Sequence, residues 1–306
     1  MSINQLISKI ISKSNPTVAG LDPSPSVIPP CILEKHIGEY GCTLKAAAES
    51  VLEFNRGIID ALHDIVPAVK PQSAFYEMYG PDGIDALKKT IEYAKLKNLY
   101  VIADAKRGDI GSTAEAYAAA YLGKIKIGDT EISPFDADSL TVNAYLGSDG
   151  VKPFLDICKD RKKSIFILVK TSNPSSSEFQ DLIAGTRTVY RAVAEKASAW
   201  GSDLIGEYGY SEVGFVVGAT YPGQLMELRR NYQNTFFLVP GYGAQGAKAQ
   251  DLAVAFDRRG LGAIVNSSRG IIGAWKNTGS KDGSNYTDAA REAAAAMKKD
   301  LETYCI

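Results

Sequence analysis

The chain of 306 residues has only two histidines, His36 and His63, both in its first quarter, and only four cysteines, Cys31, Cys42, Cys158 and Cys305. The cysteines are scattered without a C-x-x-C pair, which argues against a disulfide framework or a zinc knuckle and suits a reducing compartment. So few histidines, remote from the charged motifs, argue against a Ser-His-Asp hydrolase or a multi-histidine metal site. His63 falls in a helical stretch, 43–65, and is expected to be a helix-surface or packing residue. An excess of one charge is missing too: 34 basic residues face 35 acidic ones, with no basic block and no acidic tail. Nucleic acid and anionic membrane are therefore poor partners. No apolar run is long enough to span a membrane, and no signal-peptide pattern is found. The N-terminal MSINQLISKIISKSN instead places Ile3, Leu6, Ile7, Ile10 and Ile11 at helical spacing, which predicts an amphipathic helix packed on the body of the protein. Together these absences predict a cytoplasmic protein whose chemistry uses lysines and carboxylates.

What the chain does contain is an alternation of short β-rich runs with longer helical patterns. Strands are predicted at 17–22, 66–70, 99–106, 139–143, 164–171, 213–219, 236–241 and 262–268. They are apolar almost throughout, as expected when both faces of a parallel sheet are buried. Amphipathic stretches separate them, such as 82–98, where Ile84, Leu87, Ile91 and Leu96 can share a face, and an Ala-rich stretch at 288–303 closes the series. Eight strands with intervening helices predict a (β/α)8 barrel, with a doubly wound open sheet as the alternative. No linker rich in Pro, Gly and Ser divides the chain, so residues 1–306 are expected to form one barrel domain with an N-terminal helix and an insertion after strand five. The Ser-rich TSNPSSSEFQ (171–180) is expected to be a mobile loop on the catalytic face.

Barrel chemistry is built at the C-terminal ends of the strands. Strand one ends in Asp22, strand two in Lys70, strand three in Asp104 and Lys106, and strand five in Thr171 and Ser172. A ring of salt bridges closing the barrel is the structural reading of such charges. The catalytic reading starts from spacing: Asp104 and Lys106, two apart on a strand, point the same way, and Asp109 follows in a glycine-containing turn. Flanking carboxylates favour the charged lysine. A Schiff-base lysine must be neutral, so the arrangement suits a general acid. Strand seven ends in PGYGAQG, a weak match to a dinucleotide fingerprint, since that motif belongs after the first strand of a βαβ unit. After strand seven its glycine amides, with Gln245 on one side and Arg269 on the other, predict a phosphate cradle.

Five segments, GLDPS (20–24), KPQSAFYE (70–77), DAKRGDIGST (104–113), PGYGAQG (240–246) and SSRG (267–270), resemble the orotidine 5′-monophosphate decarboxylases, in particular their longer bacterial branch. The resemblance runs from about residue 17 to 272. The D-x-K-x-x-D core alone is shared with sister sugar-phosphate decarboxylases; the five segments together are specific. The resemblance implies a cofactor-free, metal-free carboxy-lyase that converts orotidine 5′-monophosphate to UMP, the last step of UMP biosynthesis. It implies that Lys106 protonates C6 as CO2 leaves, that Asp104 faces the substrate carboxylate, and that Lys70 and Asp22 hold the ribose hydroxyls. Ser172 would contact the pyrimidine, Gln245 would bridge base and phosphate, Arg269 would clamp the phosphate, and Asn143 would line the site. It further implies a homodimer with shared sites, Asp109 and Thr113 entering the neighbour's pocket and the helix 112–123, with Tyr117 and Tyr121, lying in the interface. Two other readings compete. A sister decarboxylase acting on a 3-keto sugar acid phosphate with Mg²⁺ needs further carboxylates where Lys70 stands. A silent nucleotide-binding barrel need not keep Lys106, Asp104 and Asp109 together.

Overall fold

The computed structural model describes residues 1–243 and 246–305. Eight parallel strands close into a barrel: β1 (Thr17–Leu21), β2 (Ala68–Pro71), β3 (Tyr100–Arg107), β4 (Ser139–Val142), β5 (Ser164–Lys170), β6 (Val213–Val217), β7 (Phe237–Pro240) and β8 (Ala263–Ser267). Each strand pairs with its sequence neighbours, and β1 pairs β8 to close the ring. All eight predicted strands are present, and the barrel, not the open sheet, is the observed form. Two two-stranded hairpins, Ile125–Ile127 with Thr130–Ile132 and Ile183–Ala184 with Arg187–Thr188, escaped the sequence reading. Each is too short to carry a periodic signal.

Strand alternation divides the apolar residues between two cores. Val18, Ala68, Ile102, Phe166, Val216, Leu238 and Ile264 fill the barrel interior. Their neighbours, such as Ala19, Val69, Val101 and Val265, face the surrounding helices. Moving two residues up the interior files changes the chemistry: Ala68 leads to Lys70, Ile102 to Asp104 and Ile264 to Asn266. The interior is therefore apolar at its base and charged at its mouth.

The amphipathic helix Ser2–Lys13 closes the base, with Ile3, Leu6, Ile7 and Ile10 buried in the interior core. Ile11 lies outside that stripe and is 50% exposed. Ser2 Oγ shares a 2.7 Å hydrogen bond with Tyr100 Oη, and the Ile3 N–H donates to Glu212 at 3.1 Å. Of the apolar set expected on one face of 82–98, Leu87 and Ile91 are buried, while Ile84 and Leu96 are exposed on the helix Gly80–Leu96. Leu96 closes the last turn, beyond the strand–helix contact. His63 caps the helix Leu44–Leu62 at the surface, as expected, whereas His36 is buried against Glu53 at 2.8 Å.

Candidate active site

Asp104 is the fixed point of the barrel mouth. Its Oδ2 accepts from Lys70 Nζ at 2.6 Å, and its Oδ1 accepts from Lys106 Nζ at 2.7 Å and from Thr141 Oγ1 at 2.9 Å. Burial alone would raise the carboxyl's pKa, but the ammonium groups of Lys70 and Lys106 hold it well below the ordinary carboxylate range. For Lys70, burial pulls the pKa down and the carboxylates of Asp104 and Asp22 more than reverse it, so it stands above the usual lysine value. The two lysines share one partner but differ in access: the Lys70 side chain is 6% exposed and the Lys106 side chain 45%. Lys70 is a locked charge; Lys106 is open to solvent.

The backbone supplies this geometry through a bulge. β3 pairs Ala103 with Leu140 and next Arg107 with Val142, so β3 spends more residues than β4 over the same rise. Lys106 sits in the bulge at φ 50°, in the left-handed region where non-glycine residues are uncommon. Thr141 holds the irregular turn, its Oγ1 accepting the Lys106 N–H at 3.0 Å while donating to Asp104.

Two compartments meet at Lys70, Asp104 and Pro240. The first, about 180 Å³, is polar and is lined by Asp22, Gln72, Tyr242, Asn266, Ser268 and Arg269 as well. Asp22 Oδ1 and Asn266 Oδ1 are buried there without a donor among the described residues. Gly20 makes room, because a Cβ at that position would stand 1.9 Å from Ser268 Oγ. The second, about 340 Å³, has an apolar floor of Leu168, Val216 and Leu238. Lys106, Thr141, Thr171, Ser172 and Asn173 rim it. One compartment suits a hydroxylated, anionic group and the other a flat ring, with the lysine–aspartate array between them.

Of the residues expected in the site, Lys70, Asp104, Lys106, Asp22, Ser172 and Arg269 are brought together. Asn143 is not: it lies in a neighbouring apolar groove, its Oδ1 accepting the Tyr145 N–H at 3.0 Å. Asp109 and Thr113 line neither compartment; Asp109 Oδ1 accepts the adjacent Ile110 N–H at 2.8 Å, and Thr113 is exposed on the helix Gly111–Tyr121. Gln245 lies outside the described residues. Tyr121 is not available to an interface, being 4% exposed and stacked on Phe135 at 4.9 Å. The expected mobile loop 171–180 is instead folded into two helical turns, Pro174–Ser176 and Ser177–Gln180. Thr141, Asn266 and Lys170 escaped the sequence reading. The first two continue interior files and could have been found by carrying the alternation to the strand ends. Lys170 is a lysine closing an otherwise apolar run, as Lys70 is.

The fold and site define a (β/α)8-barrel enzyme organised around a lysine–aspartate array. The family model of the orotidine 5′-phosphate decarboxylase / HUMPS family matches residues 35–280, and the chain belongs to that family. It is 44% identical to the orotidine 5′-phosphate decarboxylase of Caldicellulosiruptor bescii over 90% of each chain. It is likewise 44% identical to that of Rhodopirellula baltica, over 97% of this chain and 98% of the other. A crystal structure of a putative orotidine 5′-phosphate decarboxylase from Streptomyces avermitilis superposes with a TM-score of 0.77 at 30% identity, covering 99% of this chain and 95% of that one.

Proposed function

We propose that this barrel decarboxylates orotidine 5′-monophosphate to UMP and CO2, the activity for which these relatives are named, and so completes UMP biosynthesis. The observation that carries the reading is one carboxylate, Asp104, held between a buried and a half-exposed lysine where a polar and an apolar compartment join. The pyrimidine occupies the apolar compartment over Leu168, Val216 and Leu238, with Ser172 at its edge. The ribose lies beside Asp22 and Lys70, and the phosphate meets Arg269. The substrate carboxylate then stands at Asp104. When its C–C bond breaks, the electron pair remains on C6 and CO2 leaves; the Lys106 ammonium gives its proton to C6 and is recharged from solvent. The reaction needs no electron sink from a cofactor, because a preorganised cation beside the forming carbanion stabilises the transition state more than the ground state. The relief of repulsion between two neighbouring carboxylates acts in the same direction.

We extend the reading to a homodimer of single-domain barrels in which Asp109 and Thr113 complete the partner's site. Three features support it. Asp109 pairs with no cation among the described residues. Exposed apolar side chains surround it: Ile110 at 55%, Tyr145 at 91% and Leu146 at 49%. The apolar groove beside Tyr145, about 440 Å³, continues that surface past Asn143 to Phe179 and Leu182. A contiguous apolar surface of this kind marks an interaction site. The function is tested by following the absorbance of orotidine 5′-monophosphate after dialysis against a chelator. Undiminished turnover is expected; loss of activity that Mg²⁺ restores would favour a sugar-phosphate decarboxylase instead.

A further inference from the structure

The end of β5 carries a second buried lysine that the proposed chemistry does not use. Lys170 is 0% exposed, yet its ammonium is well provided for. Nζ donates to both oxygens of Asp181, at 2.8 and 2.9 Å, and to Ser176 Oγ at 3.2 Å. It also stands 4.4 Å from the centroid of the Tyr221 ring. An ammonium buried this completely is costly, and only such a set of partners offsets the cost. The strand arranges it with a bulge: β6 pairs Val216 with Leu168 but Val217 with Lys170, so Val169 is an extra residue on β5. The bulge takes Lys170 out of the interior file to which Leu168 belongs.

Asp181, Ser176 and Tyr221 each lie in, or grip, the segment that follows Lys170. Ser176 passes the chain of hydrogen bonds to Tyr221 Oη at 3.1 Å, and Tyr221 Oη donates to the Asn173 carbonyl at 3.3 Å. Thr220 Oγ1 donates to the Ser172 carbonyl at 3.2 Å. Gly218 lets that backbone approach, since a Cβ there would stand 2.7 Å from Ser172 Cα. Thr171, Ser172 and Asn173 are among the residues that rim the apolar compartment. We propose that Lys170, through its ion pair with Asp181, is a positioning residue that pre-orders segment 171–181 as the wall of the base compartment and so sets affinity for the ring half of the nucleotide.

The proposal rests on the assignment of the two compartments to base and ribose phosphate, and two ligands separate the questions. UMP occupies both compartments; ribose 5-phosphate occupies only the polar one. Binding of each to the wild-type protein, measured by calorimetry, tests the assignment: failure of either to bind overturns that reading. The Asp181→Asn variant tests the positioning role. Its UMP affinity is expected to fall about tenfold more than its ribose 5-phosphate affinity, because the polar contacts to the ring must then be ordered at the moment of binding. Amide exchange over 171–181 rises in parallel. Equal changes for the two ligands, or no change in either, overturn the proposal. The Lys170→Met/Asp181→Leu double variant guards against a purely structural effect. Replacing an ion pair whose ammonium is fully buried by apolar side chains is often neutral for stability, yet neither new side chain can hold Ser176 and Tyr221, so UMP selectivity stays lost. Wild-type selectivity in that stable double variant overturns the proposal as well.

Discussion

Glu212 tests whether the base of the barrel is closed at a pH-dependent cost. Its side chain belongs to a residue only 1% exposed; Oε2 accepts the Ile3 N–H, and Oε1 is buried without a donor among the described residues. Burial outweighs the hydrogen bond from the Ile3 backbone, and the carboxyl is pushed up to about 7 from an ordinary 4.5. A group whose folded pKa lies above its unfolded value contributes stability that is complete below the unfolded pKa and is lost as pH rises through the folded one. The span from 4.5 to about 7 is worth about 3 kcal/mol, at roughly 1.4 kcal/mol per pH unit. Glu212→Gln keeps a carbonyl for the Ile3 N–H and cannot ionise. Relative to wild type, its unfolding free energy should therefore improve by about 3 kcal/mol between about pH 4.5 and pH 8. Urea unfolding of both proteins at the two ends of that range measures the change. The comparison removes the opposite, acid-side dependence of carboxyls such as Asp104 and Asp64, whose pKa values are depressed and which both proteins share. An offset between the two proteins that does not vary with pH would refute the reasoning. Turnover should be unchanged, since Glu212 precedes β6 at the end of the barrel opposite the mouth.

The remaining expectations concern the mouth. Lys106→Ala should lower kcat roughly 10³-fold or more while UMP still binds, because the ammonium acts mainly in the transition state; near-normal kcat would remove it from the role of acid. Arg269→Ala should weaken UMP far more than uridine and cut kcat/KM roughly 10²–10⁴-fold; equal losses for nucleotide and nucleoside would place the phosphate elsewhere. Mixing inactive Lys106→Ala and Asp109→Ala proteins under subunit exchange should restore about a quarter of the wild-type specific activity. Half of the dimers are then mixed, and each holds one intact site of two. No recovery despite demonstrated exchange would mean that each barrel uses its own Asp109.

The barrel was legible because its strands are apolar on both faces and its helices separate them regularly. The array was legible because a lysine or aspartate ending an apolar run has few reasons to be there: Lys70 and Asp104 both prove to be interior residues at the mouth. Lys170 obeys the same rule and went unread, since the strand was taken one residue further, to Thr171. Asn143 and Tyr121 were misplaced for a different reason. Their sequence positions beside a strand end and on an expected interface helix are correct, but which way each side chain faces depends on local turns. Asn143 turns back on Tyr145, and Tyr121 stacks under its own chain on Phe135. The order of segment 171–181 was illegible because its serines and Asn-Pro pair read locally as a loop. What folds it are Lys170 and the exit of β6, the latter 45 to 48 residues away in sequence.

Both irregular strands of the barrel bulge just below the mouth, and the placement has a physical reason. Lower in the barrel an extra residue would exchange the two faces of the strand, turning interior side chains toward the helices and disrupting both cores. At the mouth few residues remain above the bulge, so any disturbance is confined to the strand end. On β3, where four steps from Ala103 to Arg107 match two of β4, the bulge keeps the alternation and leaves Lys106 at φ 50° on the rim of the apolar compartment, half exposed and still within 2.7 Å of Asp104. On β5 it withdraws Lys170 from the interior file and buries it among Asp181, Ser176 and Tyr221. Without the second bulge, continued alternation would direct the Lys170 ammonium toward the floor formed with Leu168. A further cation there would compete with Lys70 and Lys106 for the single carboxylate of Asp104. The apolar compartment stays apolar because that lysine is turned away, and the same turn gives its wall an anchor.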